Sequence, residues 1–169
     1  MYDAIILSAF PLLVAAAGIS DYFTFRIPNW INALIAVSII PFAVFSAMPP
    51  DIFAWHVVAG LIAFVLGFGL FALNLIGGGD AKMIAACGLW IGWDALLEFG
   101  FATVLAGGVL ALVIKLWSLF GSRSNVAAVG WAKNYFSKKP KLPYGIAIAA
   151  GGIMVFPATW WFQQITQYT

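Results

Sequence analysis

Long apolar stretches separated by short polar breaks constrain this chain more than any other feature of its sequence. The longest covers residues 81–120 and as a single helix would be about 60 Å long, twice the thickness of a bilayer's hydrocarbon core. Hydrophobic residues make up 64% of the chain and charged residues only 8%, against about 25% charged residues in a typical soluble domain. A chain of 169 residues cannot hide so much apolar surface from water. The composition therefore excludes a disordered chain and a soluble globular domain.

Proline and glycine divide the apolar sequence into spans of about 20 residues, the length that one transmembrane helix needs. We predict an all-α, polytopic membrane protein with six transmembrane helices, forming one membrane-embedded domain over residues 1–169. The first stretch follows no basic segment, so it is interpreted as a retained span rather than a cleaved signal peptide. The predicted spans cover residues 4–20, 30–48, 53–76, 81–93, 95–120 and 143–161, and a linker covers residues 121–142.

Basic residues fall on only one side of this predicted arrangement. The loops after spans one, three and five, with their flanks, contain all eight: Arg26, Lys82, Lys115, Arg123, Lys133, Lys138, Lys139 and Lys141. The positive-inside rule then places both termini outside (N-out/C-out) and the three basic loops in the cytoplasm. The 121–142 linker is interpreted either as a helix on the cytoplasmic membrane surface or as a flexible basic loop, and the sequence leaves both open.

The tryptophan residues, the single histidine and two asparagine residues of the predicted spans are interpreted as structural. Most of the eight tryptophans lie near span ends, as in an aromatic belt at the membrane interface. His56 stands alone near the outer face and is interpreted as an interfacial residue, not as a ligand. We expect Asn32 and Asn74 to form hydrogen bonds between helices.

Two acidic residues, Asp21 and Asp80, lie on the cytoplasmic side of the predicted topology. The orientation of the chain in the membrane does not explain them, because acidic residues contribute little to it. Each lies at the end of a predicted span, and they are 59 residues apart in sequence. If the helices bring them together in a poorly hydrated site, both cannot ionise easily, and the pair shares a proton. The ionised partner can then deprotonate water while the protonated partner polarises a peptide carbonyl, which is aspartic protease chemistry. Each residue alone also fits a structural role, because Asp80 can cap a helix and Asp21 can lie at the interface.

Three short motifs place this pair in a family context. Asp80 lies in GGGDAK (77–82), Asp21 precedes RIPN (26–29), and PYGIAI follows at 143–148. In this order and on this side of the membrane, the motifs resemble those of the type IV prepilin peptidases. The third motif is similar to that of the small members that serve Flp-type (tight-adherence) pili.

The resemblance implies a membrane aspartyl endopeptidase of the cell inner membrane with Asp21 and Asp80 as the catalytic pair. It would remove the basic leader peptide from type IV prepilins of the Flp type at the cytoplasmic membrane face, supporting pilus biogenesis or type II-like secretion. The expected partners are therefore the prepilin substrate and the lipid bilayer, with no nucleic acid.

Four residues near the pair are predicted to bind substrate or shape the site. Gly77 and Gly79 lie in a turn without side chains, which lets an extended substrate strand approach the backbone. Lys82 and Arg26 either pair with a carboxylate or extend to lipid phosphates.

The chain departs from the larger, bifunctional members of that family. Those carry paired C-x-x-C motifs in a long cytoplasmic loop and also methylate the new N-terminus. This chain has one cysteine, Cys87, and a first cytoplasmic loop of about ten residues. We therefore expect peptidase activity without methyl transfer, and no metal site or cofactor.

Other functions remain open at the level of the sequence. Another protease with a GxGD motif, which residues 77–80 form in this chain, would use the same two carboxylates. Such proteases include the preflagellin and presenilin types. A small proton-coupled transporter could use them as proton sites. A non-catalytic subunit of an assembly machine is the third alternative.

Overall fold

A computed structural model describes residues 2–120 and 142–167, and all regular structure within these ranges is helical. The all-α prediction is therefore confirmed for the described part of the chain. The predicted 121–142 linker lies outside the described residues except for its last position. In chain order the elements are α1 (Tyr2–Thr24), α2 (Asn29–Phe45), α3 (Pro50–Ala72), α4 (Gly78–Ile91), α5 (Trp93–Phe120), α6 (Tyr144–Val155), a 3₁₀ turn (Phe156–Ala158) and α7 (Trp160–Gln167).

Four helical segments of the described chain are long and apolar enough to cross a membrane. They are Leu7–Thr24, Pro50–Ala72, Trp93–Leu116 and Tyr144–Gln164, the last including the 3₁₀ turn. The other two predicted spans correspond to shorter helices, α2 with 17 residues and α4 with 14.

The polar breaks between helices have local physical causes. Asn74 has a φ of 58° just after α3, a left-handed conformation that ends the helix. Its side chain is exposed rather than buried between helices. Gly92 alone separates α4 from α5 and has a φ of 77°, which glycine adopts without steric cost. In the triple glycine, Gly77 precedes α4 and the other two glycines form its first turn.

Helix α4 is the centre of the packing, and glycine allows its neighbours to approach closely. A Cβ atom on Gly88 of α4 would lie 2.6 Å from the Cβ atom of Ala63 on α3. On the other side, α1 meets α6 at Gly18, where an added Cβ would lie 3.0 Å from that of Ala149. Such close contacts between small residues are typical of membrane helix interfaces. The Gly18 contact lies one turn before Asp21, so it holds α1 and α6 together beside the candidate site.

Tryptophan side chains join the helices at the far end of α4. The fully buried Trp90 donates its indole N–H to the carbonyl of Ile35 on α2 over 2.7 Å. Its own carbonyl accepts the indole N–H of Trp161 on α7 over 2.9 Å. Phe10 of α1 stacks on the same indole with ring centroids 5.4 Å apart. One residue therefore connects four helices.

Candidate active site

Asp21 lies in the last turns of α1 and is buried, with 4% of its surface exposed. Its Oδ2 accepts a hydrogen bond from the backbone N–H of Gly145 over 2.8 Å. Gly145 is the second residue of α6, and N–H groups in the first turn of a helix have no partner within that helix. The start of α6 therefore provides a positively polarised donor that suits a carboxylate.

Gly145 has to be glycine at this contact. A Cβ atom there would lie 2.8 Å from the Cβ and 2.9 Å from the Oδ2 of Asp21. Any side chain at this position would displace either α6 or the carboxylate. The sequence prediction did not include Gly145 among the site residues, although it lies in the PYG segment that the resemblance had singled out.

Asp80 is the third residue of α4 and is also buried, with 8% of its surface exposed. It is not the N-cap that its structural interpretation suggested, because Gly77 takes that position. Instead, Oδ2 of Asp80 accepts the backbone N–H of Gly77 over 3.0 Å, as an acidic residue does at the third position of a capping box. Gly77 thus has a defined role at the site, which is to hold one oxygen of Asp80.

The structure brings the two carboxyl groups close enough for their charges to interact. Asp80 lies in the first turn of α4, before its apolar part, and its pKa is raised from 3.8 to about 6. Burial is the main cause and the charge of Asp21 is the second, while the hydrogen bond from Gly77 acts in the opposite direction. Two acids far apart in sequence therefore form one buried pair, in which one oxygen of each is held by a backbone N–H.

Gly79 connects Asp80 to the α1–α2 loop. Its carbonyl accepts the side-chain N–H of Asn32 on α2 over 3.0 Å, so Asn32 makes the interhelical bond expected from the sequence. Among the residues that the structure describes, the Oδ1 of Asn32 is buried without a hydrogen-bond partner. A Cβ atom on Gly79 would lie 3.4 Å from the Cβ of Ile27, which belongs to the RIPN motif. The glycine turn and that motif therefore pack directly on one another.

The two predicted basic site residues are exposed, and neither is held against the acid pair. Lys82 donates from Nζ to Oδ1 of Asn29 over 2.9 Å, which ties the GGGDAK motif to the RIPN motif. The backbone carbonyl of Arg26 accepts the hydroxyl groups of Ser20 and Thr24.

A bundle of apolar helices with a buried acid pair at one end defines a membrane protein with a carboxylate site. Residues 8–112, which include both acids of the pair, match the type IV leader peptidase family. This chain therefore belongs to that family, as the sequence motifs predicted.

Individual relatives agree with this assignment. The chain is 32% identical over 110 residues, 65% of its length, to a prepilin leader peptidase/N-methyltransferase of Burkholderia pseudomallei (strain 1026b). It is 27% identical over 162 residues, 92% of its length, to the prepilin leader peptidase/N-methyltransferase of Bacillus subtilis (strain 168). The matched regions make up 28% and 55% of those two proteins. No solved structure gives a significant match.

Proposed function

We propose that this protein is a membrane aspartyl endopeptidase that removes the basic leader peptide from Flp-type prepilins. The observation that carries the proposal is the buried pair of Asp21 and Asp80, whose charges interact and whose Oδ2 atoms are each held by a backbone N–H. Family membership supports prepilin as the substrate class.

The chemistry follows from the proton shared by the pair. The ionised carboxylate removes a proton from a water molecule, which attacks the scissile carbonyl carbon. The protonated carboxyl group polarises the carbonyl oxygen and stabilises the charge that develops there. As the C–N bond breaks, a proton passes to the leaving amine, so that peptide and water give a new carboxylate and a new amino terminus. The two aspartates exchange roles over one turnover.

The surroundings of the pair fit this mechanism. Burial raises the pKa of Asp80 to about 6, so the pair keeps one proton up to a higher pH than a hydrated pair of carboxylates would. The two backbone N–H donors fix each carboxylate without competing for its second oxygen. The exposed Gly77 leaves the side of the site next to Asp80 open to an extended peptide.

The proposed topology has six spans with both termini outside, in the inner membrane of the cell. To the four long apolar segments it adds α2 and α4, whose lengths are close to those of the predicted spans. The pair then faces the cytoplasm, because it lies where α1 ends and α4 begins, beside the basic Arg26 and Lys82. A prepilin leader would reach it from that side.

Methyl transfer is not part of the proposal. The break between α1 and α2 is short, running from 25 to 28, so the first cytoplasmic loop has no room for an inserted domain. The chain's one cysteine, Cys87, is buried in α4 and cannot form a multi-cysteine site.

The test is cleavage of an Flp-type prepilin by the purified protein in lipid nanodiscs. We expect Asp21→Asn and Asp80→Asn each to lower kcat/KM by about 10³-fold or more, because Asn preserves shape but cannot share the proton. Asp51→Asn is the matched control, because Asp51 is exposed at the start of α3, at the other end of the bundle.

Two further readouts separate the parts of the proposal. If either dyad variant cleaves at a near wild-type rate, the acid pair is not catalytic. Mass spectrometry of the product reports its N-terminus, and methylation by this protein alone would contradict a peptidase-only function. Efficient cleavage of other type IV prepilins but not of the Flp type would overturn the substrate assignment.

A further inference from the structure

A second cavity lies at the end of the bundle remote from the acid pair. Asp80 is in the first turn of α4, and this cavity of about 290 Å³ surrounds the other end of the same helix, roughly 16 Å further along. Its polar and aromatic lining residues are Trp55, His56, Trp93, Asp94, Thr159 and Trp160. The proposed peptidase mechanism uses none of them.

His56 is held rigidly in this cavity. Its side chain is buried, with 3% exposed, and Nδ1 lies 2.7 Å from the carbonyl oxygen of Leu89. A carbonyl can only accept, so Nδ1 carries the hydrogen and Nε2 of the neutral ring is an acceptor. A Cβ atom on Gly92 would lie 2.8–3.1 Å from three ring atoms, so glycine is required for this packing.

The lining favours a positively charged guest. Among the described residues, the cavity lining contains no lysine or arginine, and Asp94 is its one acidic residue. The indoles of Trp55 and Trp93 both line the cavity with centroids 5.5 Å apart, and indole rings attract cations over their faces. The N-terminus of α5 adds about half a positive charge, which the full charge of Asp94 exceeds.

The guest also has to donate hydrogen bonds. Nε2 of His56 and the carboxylate of Asp94 are acceptors, and an alkylammonium group brings three N–H donors on one compact charge. A metal ion fits less well, because His56 and Asp94 are only two ligands. No group of three or more His, Cys, Asp or Glu residues occurs within 2–120 and 142–167.

We propose that this cavity binds an alkylammonium group, carried either by an ethanolamine phospholipid or by a soluble amine. Asp94 supplies the opposite charge, Nε2 of His56 accepts one N–H, and Trp55 and Trp93 contact the cation through their ring faces. An ordinary aromatic belt at the interface would require neither the carboxylate nor the buried imidazole. In the proposed topology the cavity faces the outer leaflet.

The test measures lipid retention by the full chain. Purified protein in detergent is titrated with phosphatidylethanolamine or phosphatidylglycerol of identical acyl chains, and bound lipid is counted by native mass spectrometry. We expect about tenfold tighter binding of the ethanolamine lipid, corresponding to about 1.4 kcal/mol. Asp94→Asn should abolish this preference and Trp55→Leu should reduce it, whereas Asp51→Asn, also exposed at this end, should retain it.

Competition with free ethanolamine identifies the source of the ammonium group. Displacement of the lipid by millimolar ethanolamine supports a soluble amine as a ligand. A persistent preference without displacement supports the phospholipid headgroup. Equal retention of the two lipids by the wild type, or the same lipid preference in Asp94→Asn as in Asp51→Asn, would overturn the proposal. Circular dichroism of each variant checks that the helices are intact.

Discussion

The two ends of α4 differ in how they accommodate buried polar groups. At its start, Asp80 is buried beside the like charge of Asp21, and that neighbour contributes to the raised pKa of Asp80. At its end, Trp90 donates to one carbonyl and its own carbonyl accepts from Trp161, so donors and acceptors are matched. Buried matched pairs stabilise a fold, whereas a buried like-charge pair destabilises it. The comparison favours the proposed chemistry at the first end and assigns the indole hydrogen bonds of the second end to stability.

The largest expected effect comes from Asp80→Asn, because it should move activity and stability in opposite directions. Prepilin cleavage should fall by about 10³-fold, as the shared proton is lost. Thermal stability should rise, by roughly 2–4 °C in Tm per kcal/mol recovered, because one of two buried like charges is removed while the acceptor for Gly77 is kept. The measurement is a melting curve of each variant in the same detergent, beside Asp51→Asn. A fall in Tm would show that the pair stabilises the fold and would break the comparison.

The pH dependence of cleavage is the next largest effect. With a pKa of about 6, Asp80 loses its proton above that pH, and the pair then carries two negative charges. We expect kcat/KM to fall by about tenfold per pH unit above pH 6. The same raised pKa means that stability is lost as pH rises from 3.8 to about 6, since the folded state binds the proton more tightly. A value of kcat/KM that stays constant between pH 6 and 8 would contradict the assignment of the shared proton to Asp80.

Gly145→Ala tests the positioning of the other acid. The added Cβ would lie 2.8 Å from the Cβ of Asp21, so the carboxylate or α6 must move. A shift of this size should lower kcat/KM by about 10–100-fold. Gly108→Ala is the matched control, because an added Cβ there meets nothing within 4 Å. Equal cleavage by the two variants would show that the Gly145 contact does not position Asp21.

The sequence predicted the acids better than their surroundings, for a physical reason. Asp21 and Asp80 stood out because charges are rare in this chain and each lies at a helix end, which is local information. The role of Gly145 depends on how α1 meets α6, a contact between residues 124 positions apart. His56 was interpreted as a lone interfacial residue because its partner, the carbonyl of Leu89, is a backbone group with no sequence signature. Motifs therefore indicated the proposed reacting groups, and packing determines what holds them.

The smallest expected effect on activity comes from Trp161→Phe at the matched end. The change removes a buried indole N–H and leaves the carbonyl of Trp90 unpaired, so the free energy of unfolding should fall by about 1–3 kcal/mol. Trp30→Phe should change it little, because Trp30 is exposed on α2. Below the melting temperature of the Trp161 variant, kcat/KM for prepilin should remain within a factor of two or so of wild type. A large loss of activity in the intact variant would mean that the two ends of α4 are coupled, because this side chain and the acid pair lie at opposite ends of the helix.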